Sequence, residues 1–180
     1  MAFSFLTQEL AIDLGTANTV IFQKDKIVVD EPSIIAIDVN TKKPMAIGKE
    51  ASLWQGKTNP NIKTIRPMKD GVIADFQAAE HMIRGFIKMI NSKRASLFSP
   101  NLKIVIAIPS GSTEVETRAV RDAAEHSGGR DVYIILEPMA AAIGLGLNVE
   151  EPSGHMVVDI GGGTTACAVI SLGGIVWNES

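Results

Sequence analysis

Two short stretches of the chain carry the same arrangement of chemically useful residues: AIDLGTANTVIF at 11–22 and VVDIGGGTTACAVI at 157–170. In each, an aspartate ends an apolar run, an aliphatic residue and a glycine follow, and a threonine stands six positions past the aspartate. The pairs are Asp13 with Thr19 and Asp159 with Thr165. Between them lie Gly15, Thr16, Ala17 and Asn18 in the first copy and Gly161, Gly162, Gly163 and Thr164 in the second. Small residues let main-chain N–H groups approach a ligand and cradle phosphate oxygens, while threonine hydroxyls add donors. Each stretch is a candidate phosphate loop.

The aspartates say what must accompany the phosphate. A bare carboxylate ~4 Å from a phosphate charge costs about 4 kcal/mol at an effective dielectric near 20, so a cation has to intervene. Magnesium suits the role, because it keeps several waters and is held by one or two carboxylates together with substrate phosphates. Two such loops facing each other would grip a triphosphate from both sides, with Asp13 and Asp159 holding the metal. The competing explanation of either stretch alone is an ordinary hairpin in which Asp and Gly serve turn chemistry. Duplication at matching offsets favours the phosphate site. No G-x-x-x-x-G-K loop is present, and a dinucleotide-binding fingerprint fits poorly because the glycines lead back into a strand and not into a helix.

Positioning these loops requires strands, and short β-branched runs recur at 10–13, 19–22, 26–30, 33–38, 102–108, 132–136, 155–160, 166–170 and 174–177. Between them, apolar residues at Met82, Ile83, Phe86, Ile87 and Ile90 form one face of a helix whose N-cap is Asp75. A second helix opens at the capping box Thr113–Glu116, turns Val115, Ala119, Val120 and Ala123 inward, and stops at Gly128 and Gly129. A third begins at Pro138, which the first helical turn accepts. Early strands joined by tight turns and later ones by helices predict an α/β fold, a mixed sheet flanked by helices. Residues 31–74, with Pro32, Pro44, Pro60 and Pro67 and shorter apolar runs, read as a small inserted subdomain. The polar stretch at 148–154 reads as a hinge-like connector.

Composition narrows the partners. The chain has 180 residues, 46% hydrophobic and 21% charged, with a net charge of −3, the balance of a soluble globular protein without the basic excess that nucleic acid demands. A single cysteine, Cys167, closes no internal disulfide and fits a reducing cytoplasm. His81, His126 and His155 lack metal-ligand spacing, and the seven methionines read as core filler. The N-terminus has no cationic lead of a signal peptide, and no run approaches the roughly 20 apolar residues of a membrane span, so membrane contact is expected to be peripheral.

The paired loops resemble those of the actin, sugar-kinase and heat-shock-chaperone superfamily. Taken in order, AIDLGTANTV, VVDEPSIIAID, IRPMKDGVIAD, EPMAAAIG and NVEEPSGHMVVDIGGGTT resemble the MreB family of bacterial actin homologues, the rod-shape-determining proteins, across essentially the whole chain. The resemblance implies an actin-like fold of two facing halves with ATP and Mg2+ between them. Residues 1–30 and 75–147 would form the first large subdomain, 31–74 the small one, and 151–180 the opening of the second half. It also implies ATP hydrolysis, self-assembly into filaments, and guidance of wall synthesis through membrane-bound wall enzymes at the inner face of the cytoplasmic membrane. Family members continue beyond residue 180 into the segment that holds adenosine, so this chain alone would hold at most the phosphate end.

By the same resemblance, Glu137 would orient or polarise the attacking water, Thr164 would help to place that water or the γ-phosphate, and Asp13 and Asp159 would hold magnesium through water. Without the resemblance, Glu137 reads as an acid stabilised at a helix N-terminus. Two positions depart from the family pattern: Ala166 and Leu136 stand where acids are common, which removes negative charge near the metal and implies slower turnover or a differently held metal. Phe3, Phe5 and Leu6, and the loop pair Leu97 and Phe98 beside Lys93 and Arg94, match segments that enter the inner leaflet; internal packing is their alternative. The competing functions are a chaperone-like ATPase, a small-molecule kinase of the same superfamily, and a non-hydrolysing interaction module.

Overall fold

The computed structural model describes residues 7–92 and 101–180, so Phe3, Phe5, Leu6, Leu97 and Phe98 lie outside the described residues. The chain opens with an antiparallel meander of β1 (Thr7–Leu14), β2 (Asn18–Gln23) and β3 (Lys26–Pro32). Along β1 the alternation is complete: Gln8, Leu10, Ile12 and Leu14 are buried, while Thr7, Glu9, Ala11 and Asp13 occupy the opposite face. Lys24 and Asp25, at φ 49° and 59°, connect β2 to β3 through a two-residue turn of the hand that matches strand twist.

A second, smaller sheet follows, ordered β5-β4-β6 and built from β4 (Ile35–Asp38), β5 (Pro44–Ile47) and β6 (Ile62–Ile65), with α1 (Gly48–Trp54) between the last two. Ile34, Ala36, Ala46 and Ala51 form its own core, against which Trp54 and Ile62 pack. A hairpin of β7 (Met68–Lys69) and β8 (Val72–Ile73) then turns on Asp70 and Gly71, at φ 50° and 77°.

The chain returns through α2 (Phe76–Ser92), where the Asp75 carboxylate accepts from the Ala78 N–H at 3.0 Å as the N-cap. The expected face of Met82, Ile83, Phe86, Ile87 and Ile90 is buried. β9 (Asn101–Ile108) runs parallel to β1, α3 (Glu114–His126) crosses over, and β10 (Gly129–Leu136) lies parallel to β9. These strands complete a mixed five-stranded sheet, β10-β9-β1-β2-β3, whose one face shares a core with α2 and α3. Both bonds of the Thr113–Glu116 capping box form, and the helix ends before Gly128, at φ 110°. Val115, expected inward, is 78% exposed. It precedes Val120 by an i,i+5 step, which carries it off the i, i+3, i+4 face that Val120, Ala123 and Ala124 bury.

α4 (Glu137–Gly144), with Pro138 in its first turn, leads to an antiparallel sheet of β11 (His155–Ile160), β12 (Thr165–Ser171) and β13 (Gly174–Glu179). The polar connector is pinned to it, since Leu172 N donates to Glu151 O at 3.1 Å and Gly173 N to Val149 O at 2.8 Å. Ala142, Val157 and Ile170 form the core between α4 and this sheet, while Met156, Val158 and Ile160 on β11 are 64, 56 and 77% exposed. Among the described residues no helix is long and apolar enough to cross a membrane.

Candidate functional site

The two repeated stretches fold into hairpins of one register. In the first, Asp13 pairs with Val20 and Leu14 closes the ladder with Thr19. In the second, Asp159 pairs with Ala166 and Ile160 closes the ladder with Thr165. Each aspartate therefore sits one rung before a loop of the same length. The glycine that opens each loop lies close against its far end: a Cβ at Gly15 would stand 2.6 Å from Asn18 O, and one at Gly161 3.3 Å from Thr164 O. Gly161 N also donates to Thr164 O at 2.8 Å, which tightens the second loop from within.

Both loops open onto one cleft of about 580 Å³. Gly15, Thr16, Ala17 and Asn18 line one wall and Gly161, Gly162, Gly163 and Thr164 the other, with Asp13, Asp159 and Glu137 facing the same space. The walls meet closely: a Cβ at Gly162 would lie 2.5 Å from that of Ala17, and one at Gly163 2.7 Å from Thr16 Oγ1. Ala140, Ala141 and Gly144 keep the α4 side of the cleft shallow and apolar.

The threonine shared by the two stretches is not a cleft donor in the first. Thr19 is fully buried, and its Oγ1 pairs with Ser33 Oγ at 2.9 Å. Thr165 opens β12, is exposed, and is not among the residues lining the cleft. Strand pleat explains both, because a residue at the closing rung points away from the face that carries its neighbouring aspartate's partner. The cleft hydroxyls are those of Thr16 and Thr164.

Two participants went unrecognised in the sequence. Gly71 lines the cleft from the β7–β8 turn and donates its N–H to Thr16 Oγ1 at 2.9 Å. The Asp-Gly pair at 70–71 was its available signal, a tight-hairpin signature. Ser33 lies outside the cleft lining but holds the first loop from behind, and no local pattern marks it.

Electrostatics follow from what surrounds the acids. Asp13 lies between Val20 on β2 and Ala107 on β9, both cleft residues. Burial, and then the charge of Asp159, raise its pKa above the ordinary carboxylate value. Glu137, at the start of α4, is pushed up to about 7, first by burial and then by the charges of Asp13 and Asp159. Among the described residues no lysine or arginine lines the cleft. No three Asp, Glu, His or Cys side chains among them lie close enough to ligate one ion directly. Convergent acids without basic neighbours fit a hydrated divalent cation held through its waters, with main-chain donors left for anionic oxygens.

A family model described as MreB/Mbl protein matches residues 7–180. The cell shape-determining protein MreB of Escherichia coli (strain K12) is 50% identical over 179 residues, covering 97% of this chain and 51% of its own. The cell shape-determining protein Mbl of Bacillus subtilis (strain 168) is 51% identical over 174 residues, with 96% and 51% covered. Among solved structures, MreB5 of Spiroplasma citri bound to ADP superposes with a TM-score of 0.83 at 37% identity, covering 96% of this chain and 51% of that one. The AMPPNP-bound form of the same protein gives 0.82 at 39%, with the same coverage. The chain thus spans about half the length of the relatives it matches. With its paired hairpins, its mixed sheet flanked by helices and a family match over nearly its whole length, the chain belongs to the MreB/Mbl family and has that family's actin-like fold.

Proposed function

We propose that the cleft binds the phosphates of ATP with Mg2+, as one half of a cell shape-determining cytoskeletal ATPase. The observation that carries this is the pair of same-register hairpins presenting Asp13 and Asp159, with Glu137, to one space. Support comes from the similar MreB5 structures, which hold ADP and AMPPNP. Main-chain N–H groups of Thr16–Asn18 and Gly161–Thr164 would receive phosphate oxygens, and the Thr16 and Thr164 hydroxyls would add to them. Asp13 and Asp159 would hold the cation through water. Bound there, it would offset the acids and the phosphates at once.

Glu137 is the residue for hydrolysis. Its carboxyl is pushed up to about 7 in the ligand-free cleft by burial and the charges of Asp13 and Asp159. A cation that offsets those charges would favour the carboxylate, which can orient a water toward the terminal phosphate. Such positioning is the main demand of phosphoryl transfer. Titration with Mg2+–AMPPNP, with and without the cation, tests binding; magnesium-independent affinity, or none, overturns it. Phosphate release by a chain continued to the length of its relatives tests hydrolysis.

Assembly into filaments that guide wall synthesis is the corresponding cellular proposal, supported by membership in a family of cell shape-determining proteins. Pelleting with ATP and none without it is the expected result, and nucleotide-independent behaviour would count against it. Association with the inner face of the cytoplasmic membrane rests on Phe3, Phe5, Leu6, Leu97 and Phe98, with Lys93 and Arg94 suited to anionic lipid. Liposome co-sedimentation should weaken in a Leu97→Ser, Phe98→Ser double variant, and undiminished binding would remove the loop from the proposal.

A second reading has one observation in its favour. Ala166 is 5% exposed and directly across the ladder from Asp159, so an apolar methyl occupies the place beside the metal-facing acid. Binding without rapid hydrolysis is what that arrangement favours.

A further inference from the structure

The first loop is held from behind by a residue outside the cleft. Ser33 is fully buried where the chain leaves β3 for the small sheet. Its Oγ donates to Gly15 O at 2.6 Å, and its main-chain N–H donates to Ala17 O at 2.9 Å. Because a serine hydroxyl carries one proton and Gly15 takes it, the 2.9 Å contact with Thr19 Oγ1 must be donated by Thr19. The result is a buried relay, Thr19 to Ser33 to Gly15, in which each bond polarises the next.

The direction of those bonds matters. In a trans peptide the C=O and the following N–H point opposite ways. Drawing Gly15 O and Ala17 O back toward Ser33 therefore turns the N–H groups of Thr16 and Asn18 away from it, toward the cleft that both residues line. Among the described residues the second loop has no such external clamp; its restraint is internal, Gly161 N to Thr164 O at 2.8 Å.

We infer that Ser33, primed by Thr19, is a positioning residue that aims the Thr16 and Asn18 N–H groups at phosphate oxygens. Because Ser33 is also the root of the small subdomain, the aim of the first loop is set from outside the cleft while the second loop sets its own. This rests on the cleft being a phosphate site.

The test is amide spectroscopy of the 15N-labelled chain titrated with Mg2+–tripolyphosphate. In the parent, amides of both loops should shift. In Ser33→Ala, Thr16 and Asn18 should lose their response and affinity should fall roughly tenfold, the loss of one or two aimed donors, while Gly161–Thr164 still respond. Thr19→Val, close in shape, removes the relay's first bond and leaves the Ser33–Gly15 bond, so it should weaken the same two amides in part; it decides the matter if Ser33→Ala does not fold. Undiminished Thr16 and Asn18 responses in the folded variants would overturn the inference, as would equal weakening of both loops, the sign of a general loss of structure. If no amide of either loop responds in the parent, it is the phosphate-site reading that fails.

Discussion

Gly71 donates its main-chain N–H to Thr16 Oγ1 at 2.9 Å across 55 residues of chain, so the β7–β8 turn is fastened to the first loop. The same glycine sits at φ 77°, where a Cβ would stand 2.7 Å from Pro109 Cγ and 3.3 Å from Thr164 Cγ2. Gly71→Ala meets the left-handed penalty of about 1–2 kcal/mol and crowds Pro109 together with Thr164 of the second loop. A lower melting temperature together with roughly tenfold weaker Mg2+–AMPPNP binding is expected, measured by thermal denaturation and titration calorimetry.

Close approach of the two walls leads to a second expectation. With the Cβ of Gly162→Ala about to overlap Ala17, and that of Gly163→Ala about to overlap Thr16, either substitution must push the loops apart. Overpacking of this kind costs about 1–3 kcal/mol where surroundings cannot yield. Gly162 and Gly163 are exposed at the cleft wall, so the crowding should be relieved by separation of the walls, with little change in stability and a drop in nucleotide affinity. Calorimetry that finds affinity intact would show the walls free to separate without consequence.

Glu137 links stability to pH. Its carboxyl is raised from 4.5 to about 7, so between those values the folded chain binds more protons than the unfolded one. Stability from this group is therefore present below pH 4.5 and lost as pH rises through 7. Glu137→Gln should flatten that slope and leave the ligand-free variant more stable than the parent above neutrality, on the order of 1 kcal/mol once solvent screening is allowed for. In a chain continued to the length of its relatives, it should also abolish the phosphate release proposed above. Denaturant unfolding at several pH values, beside a phosphate assay, checks both.

Ala166→Glu places an acid beside Asp159 at a site only 5% exposed. Burying an unpaired charge should destabilise the ligand-free chain by about 1–3 kcal/mol, with the loss reduced by magnesium. In a chain of the relatives' length, phosphate release should rise and grow more dependent on the cation. No change in either would detach slow turnover from this position.

The sequence was most legible where periodicity is strong. β9 and the buried face of α2 follow their patterns nearly residue for residue, the capping box at Thr113 placed α3, and β1 extends beyond the expected 10–13 at both ends. Val115 shows the limit, since an apolar residue in a helix need not lie on its buried stripe. The small sheet was the least legible part: β5 starts on a proline, and α1 has seven residues, no side-chain cap and a glycine at φ 61° at its start. Its support is tertiary, with the Glu31 carboxylate accepting from Lys49 N at 2.7 Å. In the cleft, the repeated spacing identified the loops because local geometry is encoded locally. Gly71 and Ser33 escaped because their roles exist only once distant segments meet.

The outward row of Met156, Val158 and Ile160 lies on β11, a margin of its sheet, where main-chain donors and acceptors meet no neighbouring strand among the described residues. Greasy side chains beside an open hydrogen-bonding edge make a sticky template, so clumping is expected of this chain when it is concentrated without the rest of its relatives' length. Turbidity from this source would yield to mild detergent and ignore the γ-phosphate, which gives a practical means of telling disordered precipitate from ordered polymer.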